Sequence, residues 1–209
     1  MTNIFENINQ KNIEKLKRIL RSNTIKYSKN VNILSNVNLD DFIAIVDNGS
    51  LELIYNDYNG NKIILEELTP GEMFGSMSYS LTSEEISCIT RENTQITFIE
   101  YNQITSDDII KTDFYILFIK NIIKILGEQI TNKNERIEIL TKKTTRDKLI
   151  EYFKITSQKK GTKSFKLPMS YTELSSYLSV DRSAMTREIK YLKEDGFIDT
   201  DYRKITVLY

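Results

Sequence analysis

The sequence predicts an α+β fold made of an N-terminal antiparallel β-roll (jelly roll), a long dimerisation helix and a C-terminal winged helix-turn-helix. Three observations predict it. Short apolar runs bounded by turn residues occupy residues 23–101, a heptad of apolar residues follows, and two short helical patterns joined by a tight turn lie near the C-terminus. The expected domains are a β-roll domain with an N-terminal helix at 1–107, the dimerisation helix at 108–141, and the helix-turn-helix domain at 142–209.

Composition excludes several kinds of chemistry. The chain has 209 residues, no histidine and a single cysteine, Cys88. The commonest general base and the usual zinc or haem ligand are therefore missing, and one thiol excludes an internal disulfide. We expect no catalytic residues, no metal and no cofactor. Cys88 is interpreted as a buried, inert thiol, with a redox sensor as the alternative.

No segment of the chain predicts a membrane partner. The apolar runs are all shorter than the roughly 18 residues that a membrane span needs. The N-terminal sequence alternates polar and apolar residues and has no signal-peptide core. A cytoplasmic protein is the expectation.

Charge is distributed unevenly although the chain as a whole is neutral. Residues 142–209 carry 15 basic and 9 acidic residues, a net charge of +6, and the remainder carries 14 basic and 20 acidic residues, a net charge of −6. A basic C-terminal part beside an acidic N-terminal part is typical of a nucleic-acid-binding domain attached to a domain of another kind. A chance asymmetry is the alternative.

The N-terminal half is predicted as one helix followed by short strands. Apolar residues recur at helical spacing over residues 4–20. Strands are expected at the runs NVNIL, DDFIAIV, SLELIYN, NKIILEEL, SCIT and QITFIEY. Asn48-Gly49 and Asn59-Gly60 predict hairpins, because both pairs accept the positive φ angles of tight primed turns.

A short segment after Pro70 is a candidate ligand-binding turn. Its glycines, Gly71 and Gly75, allow a sharp turn or a close approach of the backbone to another group. The side chains that could line a pocket for a small apolar or cationic ligand are Glu72, Met73, Phe74 and Met77, with Tyr55, Tyr58 and Tyr79. The alternative is that these side chains only fill the core of the β-roll.

The long helix carries a heptad seam. Apolar residues at alternating spacings of three and four are Ile116, Ile119, Ile123, Leu126, Ile130, Ile137 and Leu140, with Lys133 in the one gap. A helix with such an apolar stripe needs a partner, so the seam predicts a homodimer. Packing of the stripe against the β-roll of the same chain is the alternative.

The helix-turn-helix is predicted from capping and periodicity. Ser170 and Glu173 form a capping-box pattern, Asp181 is placed to cap a second helix, and Gly196 ends it. The inward residues of the second helix are Met185, Ile189 and Leu192. After it, residues 197–209 predict a β-hairpin wing with Tyr202, Arg203 and Lys204 near its tip.

The outward side chains of these helices suit duplex DNA. Arg182, Ser183, Thr186 and Arg187 lie along the outer face of the second helix, and an arginine can donate twice to guanine in the major groove. Ser170 and Thr172, at the start of the first helix, suit a phosphate. The alternative is an ordinary helical hairpin with solvated basic residues.

The order β-roll, glycine-containing turn, long helix and winged helix-turn-helix resembles the CRP/FNR family of bacterial transcription regulators over nearly the whole chain. Two segments carry the resemblance. Thr69-Pro70-Gly71-Glu72-x-Phe74-Gly75 is similar to the family's Gly-Glu-x-Phe-Gly turn, and the run YLSVDRSAMTRE at 177–188 is similar to its recognition helix.

The resemblance implies a homodimer bound to a near-palindromic site in double-stranded DNA, with RNA polymerase as a further candidate partner. By their positions in the family's motif, Arg182 and Arg187 resemble the residues that contact DNA bases. Ser170, Thr172 and Lys190 resemble phosphate contacts. Ser183 stands where many members carry a Glu that accepts from cytosine, so the usual half-site sequence is not expected here.

The sensor half departs from the family pattern. Cyclic-nucleotide-binding members carry an Arg-Ser pair about a dozen residues after the Gly-Glu turn, and Glu84-Glu85 falls at that place here. Carboxylates about 4 Å from a cyclic phosphate would be repulsive by several kcal/mol, and Arg91 is the only arginine nearby. The resemblance therefore implies a regulator that does not respond to cAMP. By position, the effector pocket would comprise Glu72, Met73, Phe74, Gly75, Ser76, Glu84 and Glu85, with an unknown effector or none.

Two other hypotheses about the function remain. One is a cyclic-nucleotide-responsive member of the same family. The other is a small-molecule enzyme on a jelly-roll scaffold, which is disfavoured because such enzymes usually hold a metal with histidines and this chain has none.

Overall fold

A computed structural model describes residues 4–36, 42–56, 62–75 and 86–209. The chain divides into two compact units, Met1–Gln129 and Ile130–Tyr209, and the boundary falls within the longest helix. The predicted α+β fold is confirmed, since antiparallel sheets are followed by a long helix and then by the helix-turn-helix. None of the helices in the described residues is long and apolar enough to cross a membrane.

Two antiparallel sheets build the β-roll. The strands are β1 Asn23–Tyr27, β2 Phe42–Asn48, β3 Leu51–Asn56, β4 Lys62–Leu68, β5 Met73–Gly75, β6 Ile86–Thr90 and β7 Thr94–Glu100. One sheet has the order β1-β7-β2-β5 and the other the order β4-β3-β6. Every neighbouring pair is antiparallel.

Strand β2 explains why an apolar run without alternation still forms a strand. Phe42, Ala44 and Val46 belong to the core between the two sheets. Ile43 and Ile45 point to the opposite face and pack in a second core with the helices of this unit. Both faces of β2 are therefore buried, and the run FIAIV needs no polar positions.

The N-terminal helix begins later in the chain than the predicted residue 4. The observed helix, α1, spans Gln10–Ile19. Asn7 adopts a left-handed φ of 59°, and the side chain of Asn9 accepts a hydrogen bond from the backbone N–H of Asn12 at 2.9 Å. The chain turns before residue 10 because Asn9 caps the helix there.

The predicted strand NVNIL is wrong, and two strands of the β-roll, β1 and β5, were missed. Residues Ile33–Asn36 form a short 3-10 helix, and Asn32 makes only an isolated bridge to Ile89. The Asn32 side chain instead accepts from the backbone N–H of Cys88 at 3.1 Å. Strand β1, which pairs with β7, was not among the predicted runs.

The hairpin predicted at Asn48-Gly49 is also wrong. The turn joins β2 to β3, and these strands belong to different sheets. Gly49 does adopt a positive φ of 82°, and a Cβ there would lie 2.6 Å from the carbonyl oxygen of Asn93. The glycine is therefore needed for a crossing between sheets. Asn59-Gly60 lies outside the described residues.

The helix predicted from residue 108 is interrupted. A short helix, α2, spans Asp107–Ile110, and the long helix, α3, spans Tyr115–Leu140. Within the first unit α3 buries Phe118, Ile122 and Ile125 against the apolar side chains of α1 and the outer face of β2.

The second unit is the winged helix-turn-helix. Its elements after α3 are α4 Thr145–Lys160, β8 Ser164–Lys166, α5 Tyr171–Tyr177, α6 Arg182–Glu194, β9 Ile198–Asp201 and β10 Lys204–Val207. The strands form an antiparallel sheet in the order β8-β10-β9. Met185, Ile189 and Leu192 are buried in its core, as predicted.

Candidate nucleic-acid interface

The ends of α5 and α6 are built by local hydrogen bonds. The Ser170 N–H donates to a Glu173 carboxylate oxygen at 2.6 Å, and the Glu173 N–H donates to Ser170 Oγ at 3.3 Å. This confirms the predicted capping box. Asp181 accepts from the Ala184 N–H at 2.8 Å and caps α6. Both helix starts are thus determined by residues within three positions of the cap.

The same two helices bury one face each and leave the other open. Leu174 and Leu178 of α5 and Met185 and Ile189 of α6 are buried in the same core of the second unit. The five α6 residues predicted to face DNA, Arg182, Ser183, Thr186, Arg187 and Lys190, are all exposed. The structure therefore brings them together as one row on the outer side of α6.

The two arginines of this row are available for a ligand. Within the described residues, neither Arg182 nor Arg187 is held in a salt bridge. Lys190 lies 3.6 Å from a Glu194 carboxylate oxygen, and both side chains of this pair are exposed. Exposed ion pairs of this kind are weak, so Lys190 can exchange Glu194 for a phosphate at little cost.

Two hydroxyls of the row are engaged within α6. Ser183 Oγ donates to Asp181 Oδ1 at 2.5 Å, and Thr186 Oγ1 donates to the Arg182 carbonyl oxygen at 2.9 Å. The hydrogen bond from Ser183, then that from the Ala184 N–H, and the charge of Arg187 lower the pKa of the Asp181 carboxyl. Ser183 therefore helps to hold the ionised cap at the start of α6.

The start of α5 also presents polar groups. Thr172 is exposed and Ser170 is half-buried. The Ser170 hydroxyl already accepts from Glu173, but its proton remains available as a donor. Both positions suit the phosphate contact that the sequence predicts.

Arg146 on α4 holds α6 in place. Its guanidinium donates to Glu188 at 3.1 Å and to Asp195 at 2.7 Å, and it stacks over the ring of Phe197 with 5.0 Å to the centroid. The hydrogen bond with Asp195 is the main cause that raises the pKa of Arg146. Sequence reasoning missed this residue, because its partners lie 42 and 49 positions away.

The predicted wing is present, and its tip is tied to the start of α5. Strands β9 and β10 are joined by Tyr202 and Arg203. Arg203 Nη2 donates to the Leu167 carbonyl at 3.0 Å, and the Tyr171 hydroxyl donates to the Tyr202 carbonyl at 2.7 Å. Arg203 thus folds back onto the chain, whereas Lys204 is exposed.

The glycine-containing turn of the β-roll is stabilised by hydrogen bonds between its own residues. A carboxylate oxygen of Glu72 accepts from the Thr69 N–H at 2.7 Å and from the Thr69 hydroxyl at 3.0 Å. Burial raises the pKa of Glu72, and these hydrogen bonds oppose the rise. Met73 and Phe74 are buried on opposite faces of β5, one in each core of this unit, and Gly75 adopts a φ of 149°.

The other predicted effector residues are only partly described. Ser76, Glu84 and Glu85 lie outside the described residues, as do Met77, Tyr58 and Tyr79, whereas Tyr55 lies on β3. Arg91, the arginine nearest to a phosphate site in sequence, pairs with the buried Glu52 at 3.2 Å. No group of three potential metal ligands occurs among the described residues.

Comparison with known proteins agrees with this architecture. Residues 24–106 match the cyclic nucleotide-binding domain family, and residues 147–209 match the Crp-like helix-turn-helix domain family. A cyclic-nucleotide-binding-type domain followed by such a helix-turn-helix defines a class of transcription regulators rather than enzymes. The chain belongs to the CRP/FNR family of transcription regulators. No curated protein matches it significantly by sequence.

Several solved structures share the fold over most of their length. A CooA mutant from Carboxydothermus hydrogenoformans has a TM-score of 0.74 at 17% identity, covering 100% of this chain and 92% of the other. CprK complexed with OCPA has a TM-score of 0.71 at 15% identity, covering 94% and 92%. The c-di-GMP responsive regulator CLP of Xanthomonas campestris has a TM-score of 0.63 at 17% identity, covering 96% and 100%. At these identities the likeness concerns the fold alone.

Proposed function

We propose that the protein is a homodimeric, sequence-specific DNA-binding transcription regulator of the CRP/FNR type that does not respond to cAMP. The observation that carries the proposal is the exposed row on α6, in which Arg182 and Arg187 stand without salt-bridge partners among the described residues. Arginines so placed on the second helix of a helix-turn-helix suit guanine edges in the major groove.

The exposed seam of α3 supports the dimer. Ile116, Ile123, Ile130 and Ile137 recur every seven residues and are 67%, 63%, 58% and 58% exposed. A neighbouring face of the helix, with Phe118, Ile122 and Ile125, is buried within the first unit, and the seam residues Ile119 and Leu126 pack partly against the same core. Isoleucines at the first position of a heptad, with Ile119, Leu126 and Leu140 at the fourth, favour a two-stranded parallel pair.

A dimer of this kind would place two copies of α6 on one duplex. Their contacts would fall in successive major grooves of a near-palindromic site, about 34–36 Å apart. Arg182 and Arg187 are assigned as base readers, with Ser183 and Thr186 beside them. Ser170, Thr172 and Lys190 are assigned to phosphates. RNA polymerase, contacted or blocked, is the partner through which such binding would regulate transcription.

The functional parts are assigned as a sensor domain at 1–107, a dimerisation region at 108–141 and a DNA-binding domain at 142–209. One contact argues against a cyclic phosphate in the sensor, because Arg91 already pairs with Glu52. An effector other than cAMP, or none, fits these residues.

A cyclic-nucleotide-responsive regulator is the second candidate, favoured by the match of residues 24–106 to the cyclic nucleotide-binding domain family. Titration calorimetry with cAMP, cGMP and cyclic dinucleotides separates the two. We expect no heat of binding from the first two. A saturable heat with cAMP at micromolar concentration would establish the second candidate.

Selection of bound duplexes from a random pool, at fixed salt concentration, tests the DNA-binding proposal. Wild type is expected to enrich a near-palindromic sequence. Arg187→Ala is expected to lose preference at one position of each half-site while it keeps salt-sensitive binding. Arg18→Ala, an exposed arginine on α1, is the control and should select the wild-type sequence. A wild-type protein that enriches no sequence would refute the proposal.

A further inference from the structure

The C-terminal part of α3 and the whole of α6 belong to the same compact unit. The second unit begins at Ile130, inside α3, and continues to the end of the chain. Two exposed residues of the proposed dimer seam, Ile130 and Ile137, lie in this part of α3. The unit therefore carries both a part of the proposed dimer interface and the helix proposed to bind the major groove.

Two basic side chains hold this part of α3 on its neighbours. Lys159 of α4 donates a hydrogen bond to the side-chain oxygen of Asn132 at 2.8 Å and forms a salt bridge with Glu135. The guanidinium of Arg136 lies over the ring of Tyr177, the last residue of α5, with 5.0 Å to the centroid. Polar contacts thus attach α3 to both α4 and α5.

A buried residue completes the attachment of α3. Ile139 packs in the core of the second unit, which also contains Leu149 and Phe153 of α4. Asn132 and Ile139 are seven residues apart, which is about two helical turns. A helix fixed at points two turns apart can neither tilt nor rotate freely. The direction of the seam relative to α4 is therefore determined within this unit.

The opposite end of α4 is attached to α6. Arg146, near the start of α4, donates to Glu188 within α6 and to Asp195 at its C-terminal cap. Lys159 lies in the last turn of α4, about 20 Å further along the helix axis. Each end of α4 thus carries a basic residue, one bound to α6 and the other to α3.

We propose that Lys159 and Arg136 are positioning residues that set the number of base pairs between the two half-sites of the operator. The inference rests on the proposed DNA-binding function. Because the two seams meet in the proposed dimer, the separation of the two copies of α6 follows from the offset between α3 and α6 in each protomer. One extra base pair moves a half-site by about 3.4 Å and turns it by about 34° around the duplex. A fixed offset therefore selects one spacing.

Operators whose half-sites are one base pair closer or further apart than in the selected sequence test the inference. Fluorescence anisotropy gives the dissociation constant for each spacing. Wild type is expected to bind the selected spacing about tenfold more tightly than either neighbour, whereas Lys159→Met binds all three within about threefold. Arg136→Met should lose the preference in the same way. Lys154→Met is the matched control, because Lys154 pairs with Glu151 on the same helix, and it should keep the wild-type ratio.

An exchange of charges separates positioning from a direct contact with DNA. Lys159→Glu places two carboxylates side by side and should abolish the preference for one spacing. Adding Glu135→Lys should restore it, because the salt bridge forms again with the charges exchanged. If Lys159 instead contacted a phosphate, Glu135→Lys would restore nothing, and Lys159→Met would lower the slope of log affinity against log salt by about one unit.

A purely structural role predicts a different result. Loss of stability or of dimerisation lowers the affinity for every spacing by the same factor, and thermal unfolding and sedimentation equilibrium detect it. The inference is refuted if Lys159→Met keeps the wild-type ratio between spacings, or if the exchanged pair fails to restore that ratio. An unchanged ratio in Arg136→Met removes Arg136 from the positioning residues. If wild type enriches no duplex, the proposed function itself fails.

Discussion

Gln129 on α3 donates a hydrogen bond from its side-chain amide to the backbone carbonyl of Met73 over 2.8 Å. The amide is buried, with Gln129 only 7% exposed. Met73 begins β5, directly after the Gly71-Glu72 turn, and Ile130, the next residue on α3, belongs to the exposed seam. The bond therefore ties the candidate ligand-binding turn to the helix proposed to form the dimer.

Gln129→Leu is expected to destabilise the protein. It removes the donor and leaves the Met73 carbonyl buried without its partner, which costs about 1–3 kcal/mol. Urea unfolding followed by circular dichroism measures the change. Gln158→Leu, at an exposed position on α4, is the control and should stay within about 0.5 kcal/mol of wild type. Equal stability of both variants would show that the Gln129 bond contributes nothing.

Ile123→Lys is expected to convert the dimer to a monomer. Ile123 is 63% exposed in the single chain, so a lysine there leaves the fold of the protomer unchanged but places charges in the apolar seam. Sedimentation equilibrium gives the association state. Glu138→Lys adds a lysine to an exposed position of α3 off the seam and should remain dimeric. A dimeric Ile123→Lys protein would exclude this seam as the interface.

Lys133→Leu is expected to strengthen the same dimer. Lys133 is the one charged residue in the stripe of heptad positions, and a polar residue in a seam lowers its stability. Filling the gap with leucine should lower the dissociation constant of the dimer about tenfold, or about 1.4 kcal/mol. Dilution experiments on labelled protein would detect the change. A weaker dimer would place Lys133 in a favourable contact across the interface.

Lys190→Gln is expected to weaken binding to all duplexes by a similar factor. A lysine that contacts a phosphate releases a counterion, so its loss should reduce the slope of log affinity against log salt by about one unit without altering sequence preference. Fluorescence anisotropy at several salt concentrations gives the slope. Lys143→Gln, an exposed position outside the proposed interface, should leave the slope as in wild type.

Cys88 is expected to be unreactive in the folded protein. It is fully buried, and burial, with a smaller contribution from Glu66, raises the pKa of its thiol from 9.0 to about 12. Ellman's reagent at pH 8 should label it only after unfolding. Between pH 9 and pH 12 the unfolded chain loses this proton and the folded chain keeps it, so the thiol makes stability fall as pH rises through that range. Rapid labelling of native protein would contradict its burial.

Residues close in sequence determined much of the candidate interface in advance. The capping box of Ser170 and Glu173 and the cap by Asp181 connect residues three positions apart. The exposed row on α6 and the seam on α3 follow from helical periodicity. Short-range spacing is sufficient here, because each feature is decided within one or two helical turns.

Packing between residues distant in sequence decided the strand boundaries and contacts that the sequence pattern could not predict. Asn32 leaves the predicted strand because it bonds Cys88, 56 positions away, and the Asn48-Gly49 turn joins strands whose partners lie elsewhere in the chain. Gln129 meets Met73, 56 positions distant, and Tyr171 supports the wing tip 31 positions distant.

The sequence by itself therefore determined the order of the elements, the capping of α5 and α6 and the two exposed stripes. Tertiary structure decided which strands pair, which polar side chains are buried and where the wing tip lies. The physical reason is that capping and periodicity depend on neighbours along the chain. Strand pairing and buried hydrogen bonds depend on distant groups that meet only when the apolar cores pack.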